Sequence, residues 1–222
     1  VKEKIALFCD VTPEAVIEAL DAATIYDVPL ILEREGLGEI IVSRLRLDCR
    51  PPDLTDWQEM VDRLLHPAHR VRVALVGKYM GVEDSYVSIV EALRHGGIAH
   101  RAEVVVTKVD SEHLEQLSDA DVARHLAEFH GILVCPGFGE RGVEGKVKAI
   151  RFAREARIPF FGVCYGMQWA VVEFARHVCG MAGASSTEVD PDTPYPVIDL
   201  LPDQQQVTDL GGTMRLGRYA CR

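Results

Sequence analysis

Phe160-Phe161-Gly162-Val163-Cys164-Tyr165-Gly166-Met167-Gln168 runs from an apolar strand through a cysteine between small residues into a helix. This is the layout of a nucleophile elbow, a sharp strand-to-helix turn that lifts its central side chain above a sheet. Gly162 and Gly166 remove the β-carbons that would collide where the backbone doubles back. The positive end of the following helix lies under the sulfur and favours the thiolate, the form that attacks a carbonyl carbon. Taken locally, a buried cysteine ending an interior strand is the alternative reading.

Outward from that turn the chain alternates. Strands are expected at 71–76, 102–109, 132–135 and 160–163, and helices at 85–95, 119–129, 143–156 and 166–178. Strands and helices in strict succession imply an α/β fold, a mostly parallel sheet flanked by helices. Right-handed crossovers bring the carboxyl ends of the strands to one rim, where sites in open sheets form. The turns after Cys135 and after Val163 both fall on that rim.

Nearer the start, Ile5-Ala6-Leu7-Phe8-Cys9 reads as a buried strand, and Thr12-Pro13-Glu14 as the start of a helix with an N-cap threonine and proline in its first turn. Asp48-Cys49-Arg50-Pro51-Pro52-Asp53-Leu54 breaks periodicity, because consecutive prolines remove donors and fix φ. A boundary is placed there: one piece over 1–48, a linker with an amphipathic helix over 49–70, and the α/β domain over 71–222. Trp57, Met60, Val61, Leu64 and Leu65 form the apolar side of the linker helix.

With 222 residues, 48% of them hydrophobic, the chain can bury a sizeable core. A net charge of −10 argues against nonspecific binding to nucleic acid. No apolar run approaches the roughly 18 residues that span a bilayer, and Val1-Lys2-Glu3-Lys4 does not begin a signal peptide, so the cytoplasm is the expected location. The cysteines form no CxxC pair, and the apolar neighbours of Cys9, Cys135 and Cys179 suit reduced core thiols. His66-Pro67-Ala68-His69 holds two imidazoles in a polar connection and reads as solvated, so no metal site is expected.

Cys135-Pro136-Gly137-Phe138-Gly139-Glu140-Arg141-Gly142-Val143-Glu144-Gly145-Lys146 follows a buried strand and offers backbone amides to a ligand. It is not a Walker loop, since GxxxxGK[ST] fails at Glu140 and Val147. Beside a cysteine nucleophile, the Gly137 and Tyr165 amides are the natural oxyanion donors; alone, the loop is an ordinary strand-to-helix turn. Gln168 lies one helical turn past Cys164, on its face, and can hydrogen-bond a polar substrate or simply be solvated. Glu188 can accept from a ligand ammonium or be a plain surface acid. Lys78 and Tyr79 follow a strand on the same rim, where a ligand contact and edge packing are both open.

Val76-Gly-Lys-Tyr79, Glu91-Ala-Leu-Arg-His-Gly-Gly97, Pro136-Gly-Phe-Gly-Glu-Arg-Gly-Val-Glu-Gly145, Gly162-Val-Cys-Tyr-Gly-Met-Gln168, Ser186-Thr-Glu188 and Asp209-Leu-Gly-Gly-Thr-Met-Arg-Leu-Gly217 together resemble CTP synthase over essentially the whole chain. The resemblance implies a class I glutamine amidotransferase, a flavodoxin-like fold, preceded over 1–48 by the tail of a P-loop-type amidoligase domain. In that family ATP and Mg²⁺ activate UTP for amination to CTP, ammonia comes from glutamine, and GTP activates glutamine hydrolysis. By similarity Cys164 forms the glutamyl thioester, Gly137 and Tyr165 donate to the oxyanion, and Gly166, Met167, Gln168 and Glu188 line the glutamine site. Phe138 and Arg141 sit on the GTP-responsive lid. Asp21 and Ala22 align with a segment near the ATP adenine, although the family often has lysine where Leu20 stands. The family's enzymes are homodimers or homotetramers, and no cofactor is expected within this chain itself.

Two departures stand out. The family commonly reads Pro-Gly-Gly-Phe-Gly, whereas Cys135-Pro136-Gly137-Phe138-Gly139 has proline in place of the first glycine, so residue 136 has no N–H while Gly137 keeps its own. The family's His-Pro-Glu motif lies beyond the Leu-Gly-Gly-Thr-Met-Arg-Leu-Gly run, and none of the eight histidines here precedes Pro-Glu. The chain holds no Walker loop either, so the phosphate machinery for UTP and ATP is expected to lie outside it. The chain is thus expected to be an internal piece of such an enzyme, cut before its last strands and without full turnover on its own. A noncatalytic glutamine-pocket or assembly module and another class I amidotransferase are the competing readings.

Overall fold

The computed structural model describes residues 1–201, so the Asp209 to Gly217 run lies outside the described residues. Contacts divide the chain into two compact units, residues 1–69 with 94–103 and residues 70–93 with 104 onward.

The first unit is helical. It holds α1 (Lys2–Cys9), short 3₁₀ turns at Pro13–Ala15 and Ile25–Asp27, α2 (Val28–Arg34), α3 (Leu37–Leu45) and α4 (Thr55–Leu65). The strand expected at 5–9 is therefore a helix, ended by Asp10 in the left-handed region with its N–H on the Ala6 carbonyl. A short apolar run does not by itself separate strand from helix, and the Lys-Glu-Lys lead favours helix. Nor is it buried throughout: Leu7 and Phe8 are 80% and 79% exposed, and Ala6 alone is covered. The helix expected from Thr12 stops after one 3₁₀ turn, and the Thr12 hydroxyl makes no capping bond. The apolar side of α4 is covered only in part: Val61 is buried and Met60 and Leu64 half-buried, while Trp57 and Leu65 are exposed, the Trp57 indole donating to the Tyr26 carbonyl at 2.7 Å.

The second unit carries the sheet. From there the elements follow as β1 (His69–Gly77), α5 (Val87–Ala99), β2 (Ala102–Asp110), α6 (Ser111–Gln116), α7 (Asp119–Leu126), β3 (Gly131–Val134), α8 (Val143–Ala156), β4 (Phe160–Gly162) and α9 (Tyr165–His177), of which the end of α5 and the first residues of β1 and β2 count with the first unit. Strand order is β2-β1-β3-β4, with β1, β3 and β4 parallel. A separate parallel pair joins β5 (Ala184–Ser186) to β6 (Tyr195–Ile198). Successive side chains of a strand point to opposite faces, and the core divides accordingly. Ala74, Val76, Ile132 and Val134 pack under Val147, Ile150, Trp169 and Val172 of α8 and α9. Val73, Leu75, Leu133 and Cys135 face Ile89, Val90 and Leu93 of α5.

Helix α6 has no apolar period to announce it. Asp110 caps it by accepting the Glu112 N–H at 2.8 Å, and a β-carbon at Gly145 would lie 1.8 Å from the Ser111 carbonyl oxygen, so glycine allows α8 to lie against it. Two of the thiols expected in a core, Cys9 and Cys179, are exposed, and Cys135 is buried. Cys9 ends an exposed helix and Cys179 follows α9, so apolar neighbours in sequence did not carry burial with them.

Register sets up the rim. Val76, Val134 and Gly162 are aligned across β1, β3 and β4. Two residues further along each strand come Lys78, Pro136 and Cys164, which leave the sheet side by side.

Candidate active site

Cys164 stands between β4 and α9 with φ 54° and ψ −107°, a conformation that side chains other than glycine rarely adopt. Its neighbours make the turn possible. A β-carbon at Gly162 would lie 2.6 Å from the Gly166 backbone, and one at Gly166 would lie 2.2 Å from the Val134 carbonyl oxygen. The Cys164 carbonyl accepts the Met167 and Gln168 amides at 3.0 and 3.1 Å, which begins α9 immediately behind the thiol. Its side chain is exposed. Tyr165, as the first helical residue, has no intrahelical acceptor for its N–H, and that amide has no partner among the described residues.

The loop between β3 and α8 is held through four consecutive carbonyls. Pro136 accepts from the Tyr86 hydroxyl at 3.4 Å, Gly137 from the Lys146 ammonium at 3.4 Å, Phe138 from Lys78, and Gly139 from the Tyr165 hydroxyl at 3.3 Å. In a trans peptide the N–H points opposite to the C=O, so these bonds fix the directions of the loop's amides as well. The Gly139 amide donates to the Glu188 carboxylate at 2.9 Å, while those of Gly137 and Phe138 have no partner among the described residues. Gly137 has φ 124°, a region reserved in practice for glycine. Proline at 136 leaves Gly137 its N–H, and the carbonyl at 136 takes up the Tyr86 contact.

Around the loop the charges are unusual. Lys146 on α8 is fully buried and its ammonium lies 4.9 Å from the centre of the Tyr165 ring. Burial, with the Lys78 charge, pushes it down to about 8, against the pull of Cys135 and Cys164. Burial pushes the Cys135 thiol up to about 12, so it stays protonated and unreactive at neutral pH. Burial raises Tyr86 and Tyr165 as well, so both hydroxyls remain donors.

The other candidate residues fall as follows. Gln168 is half-buried and Met167 exposed on the first turn of α9. Phe138 is exposed and packs edge-on to Tyr165 at 5.3 Å between centroids. Arg141 pairs with Glu112 at 3.3 Å and lies over the Tyr79 ring at 5.8 Å. Lys78, Gly137, Phe138, Tyr165 and Glu188 thus share one hydrogen-bonded loop cluster. Asp21 and Ala22, in the helical unit, lie between its two 3₁₀ turns; neither lines that unit's cavity, which is walled by Tyr26, Trp57, Arg63 and His95. His177 ends α9, about 18 Å from its start by helical rise, and bonds Glu173, so it is not the partner of Cys164. His66 pairs with Asp62 at 2.9 Å, and no cluster of potential metal ligands occurs among the described residues.

Sequence reading passed over Lys146 and Tyr86. A signal for the first was present: Val143, Val147 and Ile150 define the buried face of α8, and Lys146 falls on that same face, where a charge needs a partner.

Residues 82–222 match the family described as Glutamine amidotransferase class-I, and residues 1–47 match that described as CTP synthase N-terminus. The chain is 56% identical over 221 residues to CTP synthase of Pelotomaculum thermopropionicum, covering 100% of this chain and 41% of the relative. It is 53% identical to that of Geobacillus kaustophilus, again over 100% and 41%. Against Methanococcus maripaludis CTP synthase it is 52% identical, covering 99% and 42%. The chain therefore spans about two-fifths of the length of the curated relatives it matches. A solved structure of the Trypanosoma brucei CTPS glutaminase domain with bound acivicin aligns at TM-score 0.57 and 38% identity, over 61% of this chain and 52% of that one. The chain belongs to the class I glutamine amidotransferases and, among them, to the CTP synthase family.

Proposed function

We propose that this chain carries the glutamine-hydrolysing site of an enzyme that aminates UTP to CTP. The observation that supports it is the exposed Cys164 thiol in a strained elbow at the start of α9, facing the rim on which the Gly137 loop also ends. In this reading the sulfur attacks the carboxamide carbon of glutamine, a C–S bond forms, and negative charge gathers on the oxygen, where the Gly137 and Tyr165 amides donate. The C–N bond then breaks, and the proton shed by the thiol leaves with nitrogen as ammonia. Water cleaves the thioester to glutamate and restores the thiol. Gln168 and Glu188 hold the substrate's polar groups, beside Gly166 and Met167. The imidazole that passes the proton is assigned to the family's His-Pro-Glu segment, since His177 stands at the far end of α9.

For the whole protein we propose ATP with Mg²⁺, UTP and glutamine as substrates, GTP as activator through the Phe138 and Arg141 segment, a homo-oligomeric assembly, and a cytoplasmic location. Asp21 and Ala22 are assigned to the nucleotide side. No helix among the described residues is long and apolar enough to cross a membrane.

The test is incubation with a diazo ketone analogue of glutamine, followed by peptide mass spectrometry. Stoichiometric modification at Cys164, blocked by glutamine, is expected, and acivicin is the second probe because the Trypanosoma brucei domain holds it. Absence of any adduct on the folded chain would instead support a noncatalytic module.

A further inference from the structure

The fully buried Lys146 ammonium touches both residues to which oxyanion donation is assigned: it donates to the Gly137 carbonyl at 3.4 Å and lies 4.9 Å from the centre of the Tyr165 ring. We propose that Lys146 is a positioning residue for the thiol chemistry: it holds Gly137 from its carbonyl side, while Tyr86 holds the Pro136 carbonyl of the peptide that carries the Gly137 N–H, and it packs on the first turn of α9, so that the Gly137 and Tyr165 amides converge on the oxygen of a group attacked by Cys164. The inference rests on the reading of Cys164 as a nucleophile.

Packing gives no reason for an amine at this position. Val143, Val147 and Ile150 line the same face of α8, and methionine matches the length of lysine there without the cost of a buried charge. The depressed affinity of Lys146 for its proton is a sign of that cost. What methionine cannot do is donate. Removing the ammonium leaves the Gly137 carbonyl without its only side-chain donor among the described residues and frees the Gly137–Phe138 peptide to turn, so that Gly137 is held on its amide side alone. Lys78 holds the next carbonyl, and Tyr86 the preceding one, whose peptide carries the Gly137 N–H.

Two reagents separate positioning from general damage. A chloroketone analogue of glutamine is attacked at its carbonyl and passes through a tetrahedral oxyanion, whereas iodoacetamide is displaced directly at a saturated carbon and forms none. In Lys146→Met, the limiting rate of inactivation by the chloroketone should fall about tenfold or more, with the half-saturating concentration within about twofold. Alkylation of Cys164 by iodoacetamide should stay within about twofold, and Tm should not fall. An unchanged chloroketone rate, or equal losses with both reagents, would overturn the inference while leaving the nucleophile reading in place. Failure of the chloroketone to modify Cys164 in the unsubstituted chain would overturn both. Tyr86→Phe keeps the inference falsifiable should Lys146→Met not fold: it releases the other side of Gly137, a selective loss with the chloroketone is expected, and no change overturns the anchoring of Gly137 on which the inference rests.

Discussion

Gly166 passes Val134 so closely that a β-carbon at 166 would sit 2.2 Å from the Val134 carbonyl oxygen. That oxygen already accepts the Val163 amide at 3.0 Å, and β3 lies inside the sheet between β1 and β4, so neither partner can retreat. Gly166→Ala should therefore lower stability by about 3 kcal/mol, on the order of 10 °C in Tm, and slow Cys164 modification with it. Gly96→Ala is the control. It lies in α5 with nothing within 4 Å of an added β-carbon, and should gain about 0.5–1 kcal/mol. Urea unfolding of the two variants, compared with the parent chain, decides; similar stabilities would remove the close-approach account of the elbow.

Cys164 pays for its place in backbone strain. At φ 54° and ψ −107° it occupies a region that glycine enters freely, and a residue with a β-carbon does not. Cys164→Gly should raise stability by about 1 kcal/mol while abolishing reaction with glutamine analogues. Cys164→Ser keeps the strain and should leave Tm nearly unchanged. A Cys164→Gly chain less stable than Cys164→Ser would mean that the thiol makes native contacts which outweigh the strain.

Thiol accessibility gives a third test. Cys9, Cys49, Cys164 and Cys179 are exposed and Cys135 is buried, so a small maleimide should modify those four in the folded chain and spare Cys135 until it unfolds. Burial thus no longer sets Cys164 apart from Cys9 or Cys179. Glutamine does: saturating glutamine should slow modification of Cys164 alone. Equal protection of Cys9, which belongs to the other compact unit, would point to a global effect and not to a pocket.

Much of this architecture was legible because its signals are local. Strand and helix succeed one another from β1 to α9 with periods that composition alone resolves, and the elbow glycines announce a turn too tight for side chains. Helix α1 was not legible, since Ile5 to Cys9 offers five apolar residues, enough for either a strand or a helix turn, and no buried partner in sequence to choose between them. Helix α6 is short and polar, and its existence depends on the Asp110 cap and on the close approach of Gly145. In the site, Cys164 and the Gly137 loop were legible as chemistry. The anchoring of four successive carbonyls was not, because Tyr86, Lys78, Lys146 and Tyr165 come from separate elements and meet only through the parallel register of the sheet.

The buried pair Lys146 and Cys135 should write a signature into stability against pH. Lys146 holds its proton less tightly in the folded chain, at about 8 against an ordinary 10.5, so from pH 8 upward the unfolded chain binds more protons and stability rises. Cys135 acts the other way: folded, it keeps its proton to about 12 against an ordinary 9, so above pH 9 the unfolded chain binds fewer protons and stability falls. Each full slope is about 1.4 kcal/mol per pH unit. The expected curve climbs from pH 8 to 9, flattens while the two oppose each other, and descends beyond the ordinary lysine range, steepened there by Tyr86 and Tyr165, which burial also raises. Lys146→Met should remove the climb and add stability at pH 7, by up to about 3 kcal/mol, even as it slows the chemistry at Cys164. Cys135→Ala should weaken the descent. Urea unfolding from pH 7 to 11 measures all three, and a parent curve that falls steadily from pH 8 would show that Lys146 is not held as a destabilised ammonium.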